Sequence, residues 1–87
     1  MKYVIRIEYN DRTFYLEKIN EKYKPVQLSN FKFATVFNSV QEAISLYSKY
    51  LPEIASEVNN DTMTRVYIDE VKVSPVKNVV EIPNLFE

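Results

Sequence analysis

Two arginine and tyrosine pairs and one pair of adjacent carboxylates carry most of the chemistry this sequence offers. Arg6 and Tyr15 fall opposite one another if residues 3–17 form a tight hairpin, and Arg65 and Tyr67 stand two apart on a later segment of strand pattern. A guanidinium and a phenol on one sheet face act by charge, hydrogen bonding and ring stacking, and both residue types concentrate where proteins meet partners. Such pairs also arise as cross-strand packing that merely stabilises a sheet. Asp69 and Glu70 would make a cation or acid–base site only if their carboxylates converged. Successive side chains of a regular strand point to opposite faces, and no third ligand lies nearby in sequence.

The missing residue types exclude more than the present ones admit. Among 87 residues there is no Gly, Cys, His or Trp. Without Cys or His there is no thiolate nucleophile, no imidazole base near neutral pH and neither of the usual zinc ligands. Without Gly the phosphate-cradling loops of nucleotide-binding proteins are absent as patterns. Asp, Glu, Lys and Tyr remain for acid and base work, with no convergent set to place them in. No catalytic residue, metal site or cofactor is expected, and the chain reads as non-enzymatic.

A chain of this length holds one domain near the lower limit for a self-sufficient core, so a monomer or a homodimer is expected. Its apolar share of 46% and charged share of 26% are ordinary for a globular protein. No apolar run approaches the ~20 residues of a membrane span. Lys2 and Arg6 interrupt the N-terminal apolar stretch too early for a signal peptide, so a cytoplasmic location is expected. Net charge is −1, with eight Lys or Arg against five acids in residues 1–50 and three against seven in residues 51–87. That polarity is too mild for a basic nucleic-acid arm or an acidic DNA mimic.

Positioning the candidate residues requires strands first. Tyr3, Ile5, Ile7 and Tyr9 alternate with Val4, Arg6 and Glu8, and Phe14 and Leu16 alternate with Thr13, Tyr15 and Glu17. A two-residue turn at Asn10-Asp11 sets Ile7 against Phe14 and Ile5 against Leu16, with all four on one surface. Asn and Asp take the place of glycine because they tolerate the left-handed region best. Residues 20–30 read as a polar loop with a short extended piece at Val26 to Leu28, and the alternation of Phe31, Phe33, Thr35 and Phe37 predicts a third strand. Ser39-Val40-Gln41-Glu42 fits a capping box in which Glu42 reaches back to the Ser39 amide. Val40, Ile44, Tyr47, Leu51, Ile54 and Val58 then form one helical stripe, which keeps its phase through Pro52 and predicts one kinked helix ending at Asn59-Asn60. Met63 to Val73 predicts the last strand, with a bulge at Asp69-Glu70 because Val66 and Ile68 differ in parity from Val71 and Val73.

The expected fold is therefore α+β: an antiparallel sheet of three to five strands packed on one kinked helix, in the order β-β-β-α-β, over residues 1–73. Residues 74–87 form an apolar tail, either a docked edge strand or a segment for strand addition to a partner. One sheet face meets the helix. The other stays open and carries Arg6, Tyr15, Arg65 and Tyr67 as the expected partner-binding residues.

Two functions fit such a face. One is a protein-binding module that occludes a target. The other is a single-stranded nucleic-acid binder that stacks bases on tyrosines, opposed by the acids Glu8, Glu17 and Asp69 beside them. The opening Tyr3-Val4-Ile5-Arg6-Ile7 and the segment Phe33-Ala34-Thr35-Val36-Phe37-Asn38-Ser39-Val40-Gln41-Glu42-Ala43 resemble small accessory proteins of phages and mobile elements in low-GC Gram-positive bacteria. That group includes anti-CRISPR proteins. The resemblance implies a phage-encoded inhibitor in the host cytoplasm that binds a host defence protein, such as the CRISPR effector Cas9; charge and hydropathy make neither nucleic acid nor membrane an expected partner.

Overall fold

Asn10 and Asp11 both take positive φ, 55° and 60°, and close the first hairpin as a two-residue turn. The computed structural model describes residues 1–72. Strands β1 (Lys2–Tyr9) and β2 (Arg12–Lys18) pair antiparallel with Arg6 opposite Tyr15 and Ile7 opposite Phe14, the register that the apolar alternation requires. Strand β3 (Val26–Ser29) pairs with the outer side of β2, and β4 (Arg65–Val71) pairs with the free side of β1. The result is a four-stranded antiparallel sheet in the order β3-β2-β1-β4. It is packed on two helices, α1 (Val40–Lys49) and α2 (Leu51–Glu57), which makes the domain α+β.

The third strand is not where the phenylalanine alternation placed it. Val26–Ser29 follows the hairpin closely and takes the β2 edge, leaving Phe31–Phe33 to form a single 3₁₀ turn. Residues 35–37 then thread between the ends of β1 and β2. Thr35 donates its amide to the Leu16 carbonyl at 3.0 Å, and its hydroxyl accepts from the Lys18 amide at 2.6 Å. Tyr3 and Phe37 exchange both backbone hydrogen bonds, at 2.8 and 2.9 Å. Backbone groups that the first two strands leave unpaired at this end thus find partners in the linker.

The single kinked helix is likewise corrected to two. Tyr50 leaves the helical region at φ −109°, ψ 22°, closing α1 and opening α2, and Pro52 falls in the first turn of α2, where its missing amide leaves no intrahelical bond unmade. The buried face of α1 also lies one residue away from the expected stripe. Ala43, Ile54 and Val58 are buried and Leu46, Tyr47 and Tyr50 half-buried, whereas Val40, Ile44 and Leu51 of the expected stripe stand 42–45% exposed. The core is one cluster of Ile5, Ile7, Leu16, Val26, Phe37, Ala43, Ile54 and Val58.

The helix ends follow the sequence closely. Ser39 Oγ accepts from the Glu42 amide at 3.1 Å as expected, but the Glu42 carboxylate takes the amide of Asn38, not that of Ser39. At the far end Asn59 and Asn60, at φ 53° and 54°, donate to the carbonyls of Ser56 and Ala55, a Schellman closure made without glycine. Strand β4 contains no bulge. Its register with β1 runs unbroken from Glu8 opposite Arg65 to Lys2 opposite Val71. Val71 can keep regular alternation because the non-helical face already holds an apolar residue there, the buried Val4, which lies outside the core cluster. Val73 and the tail at 74–87, with its expected edge strand or interaction segment, lie outside the described residues. Among the described residues no helix is long and apolar enough to cross a membrane.

Candidate functional site

The registers of three strand pairs put one residue from each strand in a row across the open face: Ser29, Tyr15, Arg6 and Tyr67. Arg6 sits at the centre because β1 is an inner strand and because Ile5 and Ile7, both fully buried, fix the opposite parity on the core. Its guanidinium lies 4.3 Å from the centroid of the Tyr67 ring. Arg6 Nε donates to Asp69 Oδ2 at 2.6 Å, Nη2 to Asp69 Oδ1 at 3.4 Å, and Nη1 to the Glu8 carboxylate. The hydrogen bond to Asp69 holds the Arg6 guanidinium even more firmly protonated than usual. Its charge is engaged by two acids and one ring.

Tyr15 lies on the other side of Arg6 and meets the Phe31 ring edge to face, with centroids 5.2 Å apart and planes at 82°. Burial, followed by the nearby Asp69 charge, pushes its phenol pKa up. Further along the face, Glu17 accepts hydrogen bonds from Ser29 Oγ at 2.5 Å and from Gln27 Nε2 at 2.9 Å. These bonds, Ser29 first and Gln27 second, pull the Glu17 carboxyl below its ordinary pKa. Phe33, 54% exposed, projects beside Glu17, Gln27 and Ser29.

All four residues expected on this face are found there. Arg6, Tyr15 and Tyr67 form one connected group. Arg65, exposed, lies one step away opposite Glu8, where it lines a polar cleft of about 640 Å³ with Arg12 and Asp61 at the hairpin end of the sheet. Asp69, expected both at a bulge and among the acids beside the aromatics, is the principal partner of Arg6. Regular alternation through residues 65–69 was the signal for that pairing, since Asp69 shares parity with Arg65 and Tyr67. Phe31 was assigned to a strand, and its contact with Tyr15 follows from a 3₁₀ turn that the alternation concealed.

Chemically the arrangement offers rings, hydrogen-bond donors and paired charges, all displayed on a sheet surface. Asp69 and Glu70 point to opposite faces, and among the described residues no cluster of three or more acids is spaced to hold a metal ion. Comparison with protein-family models, with curated proteins and with solved structures finds no match for this chain.

Proposed function

We propose that this chain is a non-enzymatic protein-binding module that contacts its target through the open sheet face. The observation that carries this reading is the engagement of Arg6 by Asp69, Glu8 and the Tyr67 ring, which leaves an aromatic and polar surface whose central cation is already neutralised. A surface of that kind suits a protein partner, since Tyr and Arg are enriched at interfaces and their hot spots. It suits a phosphate backbone poorly, because binding there depends on uncompensated positive charge.

The resemblance to phage and mobile-element accessory proteins supplies the target class. On this proposal the chain is an anti-CRISPR-like inhibitor that occludes a host CRISPR effector such as Cas9 by direct contact. The alternative is a single-stranded nucleic-acid binder that uses Tyr67, Tyr15 and Phe33 as stacking platforms.

The test is guided DNA cleavage by purified Cas9 proteins from Gram-positive hosts, with and without an excess of this chain, alongside direct binding to each enzyme. Inhibition with a stoichiometric complex is expected. Arg65→Glu and Tyr67→Ala, each checked for an intact fold, should weaken that complex about tenfold or more. Full cleavage and no complex with any enzyme tested would remove the inhibitor reading. Tight, steeply salt-dependent binding to random single-stranded DNA or RNA would replace it with the alternative.

A further inference from the structure

The two edges of the sheet differ in their capacity to accept another strand. The β3 edge is four residues long and is preceded directly by Pro25, two of the devices that keep a sheet edge from pairing. The β4 edge is seven residues long, free of proline and bulge, and among the described residues it has no strand on its outer side. Its core-side residues Val66 and Ile68 are only half-buried, and they line a groove of about 280 Å³ with Ile44 and Tyr47 of α1. Exposed apolar side chains at Ile44 and Leu51 overhang the same region.

The sequence of β4 is self-complementary in one antiparallel register. A two-fold axis normal to the sheet keeps core faces together only if opposed residues share parity. Centred on Tyr67, such pairing sets Arg65 against Asp69 of a second copy, Val66 against Ile68, and Tyr67 against Tyr67. Centred on Ile68, it would press the Glu70 carboxylate against Val66. Centred on Val66, it would set Thr64 against Ile68 and Met63 against Asp69. Only the first register matches charge with opposite charge and apolar with apolar.

We propose that the chain forms a two-fold homodimer by antiparallel pairing of β4 with β4 of a second copy, in register about Tyr67. The two sheets become one of eight strands, with the two β4 strands side by side at its centre and both helical layers on one face. The exposed Ile44 and Leu51 of each copy then overhang a shared apolar floor. A chain of 87 residues is near the lower limit for a self-sufficient core, where added apolar burial at a dimer seam counts for more than in a larger domain. The proposal does not depend on the identity of the target.

Sedimentation of the full chain from micromolar to hundreds of micromolar concentration should give twice the 10.3 kDa of one chain. Because the sequence contains no cysteine, a single introduced thiol reports the register without interference. Under mild oxidation Tyr67→Cys should cross-link copies fully, since directly opposed residues have Cα atoms roughly 4.5–5.5 Å apart, within disulfide reach. Arg65→Cys and Asp69→Cys should not cross-link to themselves, their own counterparts lying roughly 13 Å away along the strands. Arg65→Asp, which sets like charges opposite one another, should shift the dimer toward monomer while far-ultraviolet circular dichroism stays unchanged. A monomer at every concentration overturns the proposal, as it would if another segment of the chain covers β4. A dimer that fails to cross-link through Tyr67→Cys overturns it equally.

Discussion

Arg6 and Asp69 lie 63 positions apart in sequence and are joined by a hydrogen bond of 2.6 Å from Nε to Oδ2. The contact ties β1 to β4 on the face away from the core, and Glu8 and the Tyr67 ring hold the same guanidinium in place. Both carboxylates and the arginine are partly exposed, with side-chain exposures of 25% for Arg6 and 36% for Asp69. Solvent therefore screens the attraction. Asp69→Asn should lower unfolding free energy by about 1 kcal/mol, read from urea titration. A double-mutant cycle with Arg6→Met should return a coupling of similar size.

Glu17 gives a pH dependence with a definite sign. Its carboxyl is pulled below the usual value by Ser29 and Gln27, so the folded state binds its proton less readily than the unfolded state does. The stabilisation is fully present above the unfolded pKa and is lost as pH falls from there through the depressed folded value. Urea midpoints measured from neutral pH down to pH of about 3 should fall less steeply below the ordinary carboxylate range for Glu17→Gln than for the parent chain.

Asp11 occupies the second left-handed position of the hairpin turn, at φ 60°. Glycine is the residue that turn type prefers there, and a β-branched residue is strongly disfavoured. Asp11→Gly should raise stability by roughly 0.5–1 kcal/mol and Asp11→Val should lower it by about 1 kcal/mol or more. Thermal unfolding of the two variants beside the parent chain decides the ordering.

Ala43 is fully buried where α1 meets the core. Ala43→Leu would force added volume into that contact and should destabilise by about 1–3 kcal/mol. Ile44→Ala, one residue along and 42% exposed, should cost well under half as much in dilute solution. Equilibrium unfolding of both variants separates the face that α1 buries from the face its apolar spacing had indicated.

The strand alternation was legible because a one-residue slip at the hairpin would put Ile5 and Ile7 on one face and Phe14 and Leu16 on the other. That single constraint fixed the parity of Arg6 and Tyr15 and hence the composition of the open face. The capping residue Ser39 and the closing Asn59-Asn60 were legible for local reasons, since their signals act within one turn. What escaped the sequence was competition between segments. Val26–Ser29 and residues 31–37 both alternate, and only proximity to β2 decides which becomes the strand. In α1 the apolar spacing through Val40 and Ile44 competes with that through Ala43, Leu46 and Tyr50, and periodicity alone does not choose between the two faces. The bulge at Asp69-Glu70 was inferred on the premise that every valine must face the core, and Val4 shows that the other face holds apolar residues too.

The linker at residues 35–37 reaches back to Tyr3, Leu16 and Lys18. The beginning of the chain is consequently clasped on both flanks, by β4 along one side and by Phe37 on the other. Fraying of an N-terminal strand, ordinary in small domains, would here have to undo contacts made by residues more than thirty positions away. Amide exchange at Tyr3 should accordingly be as slow as in the middle of the sheet.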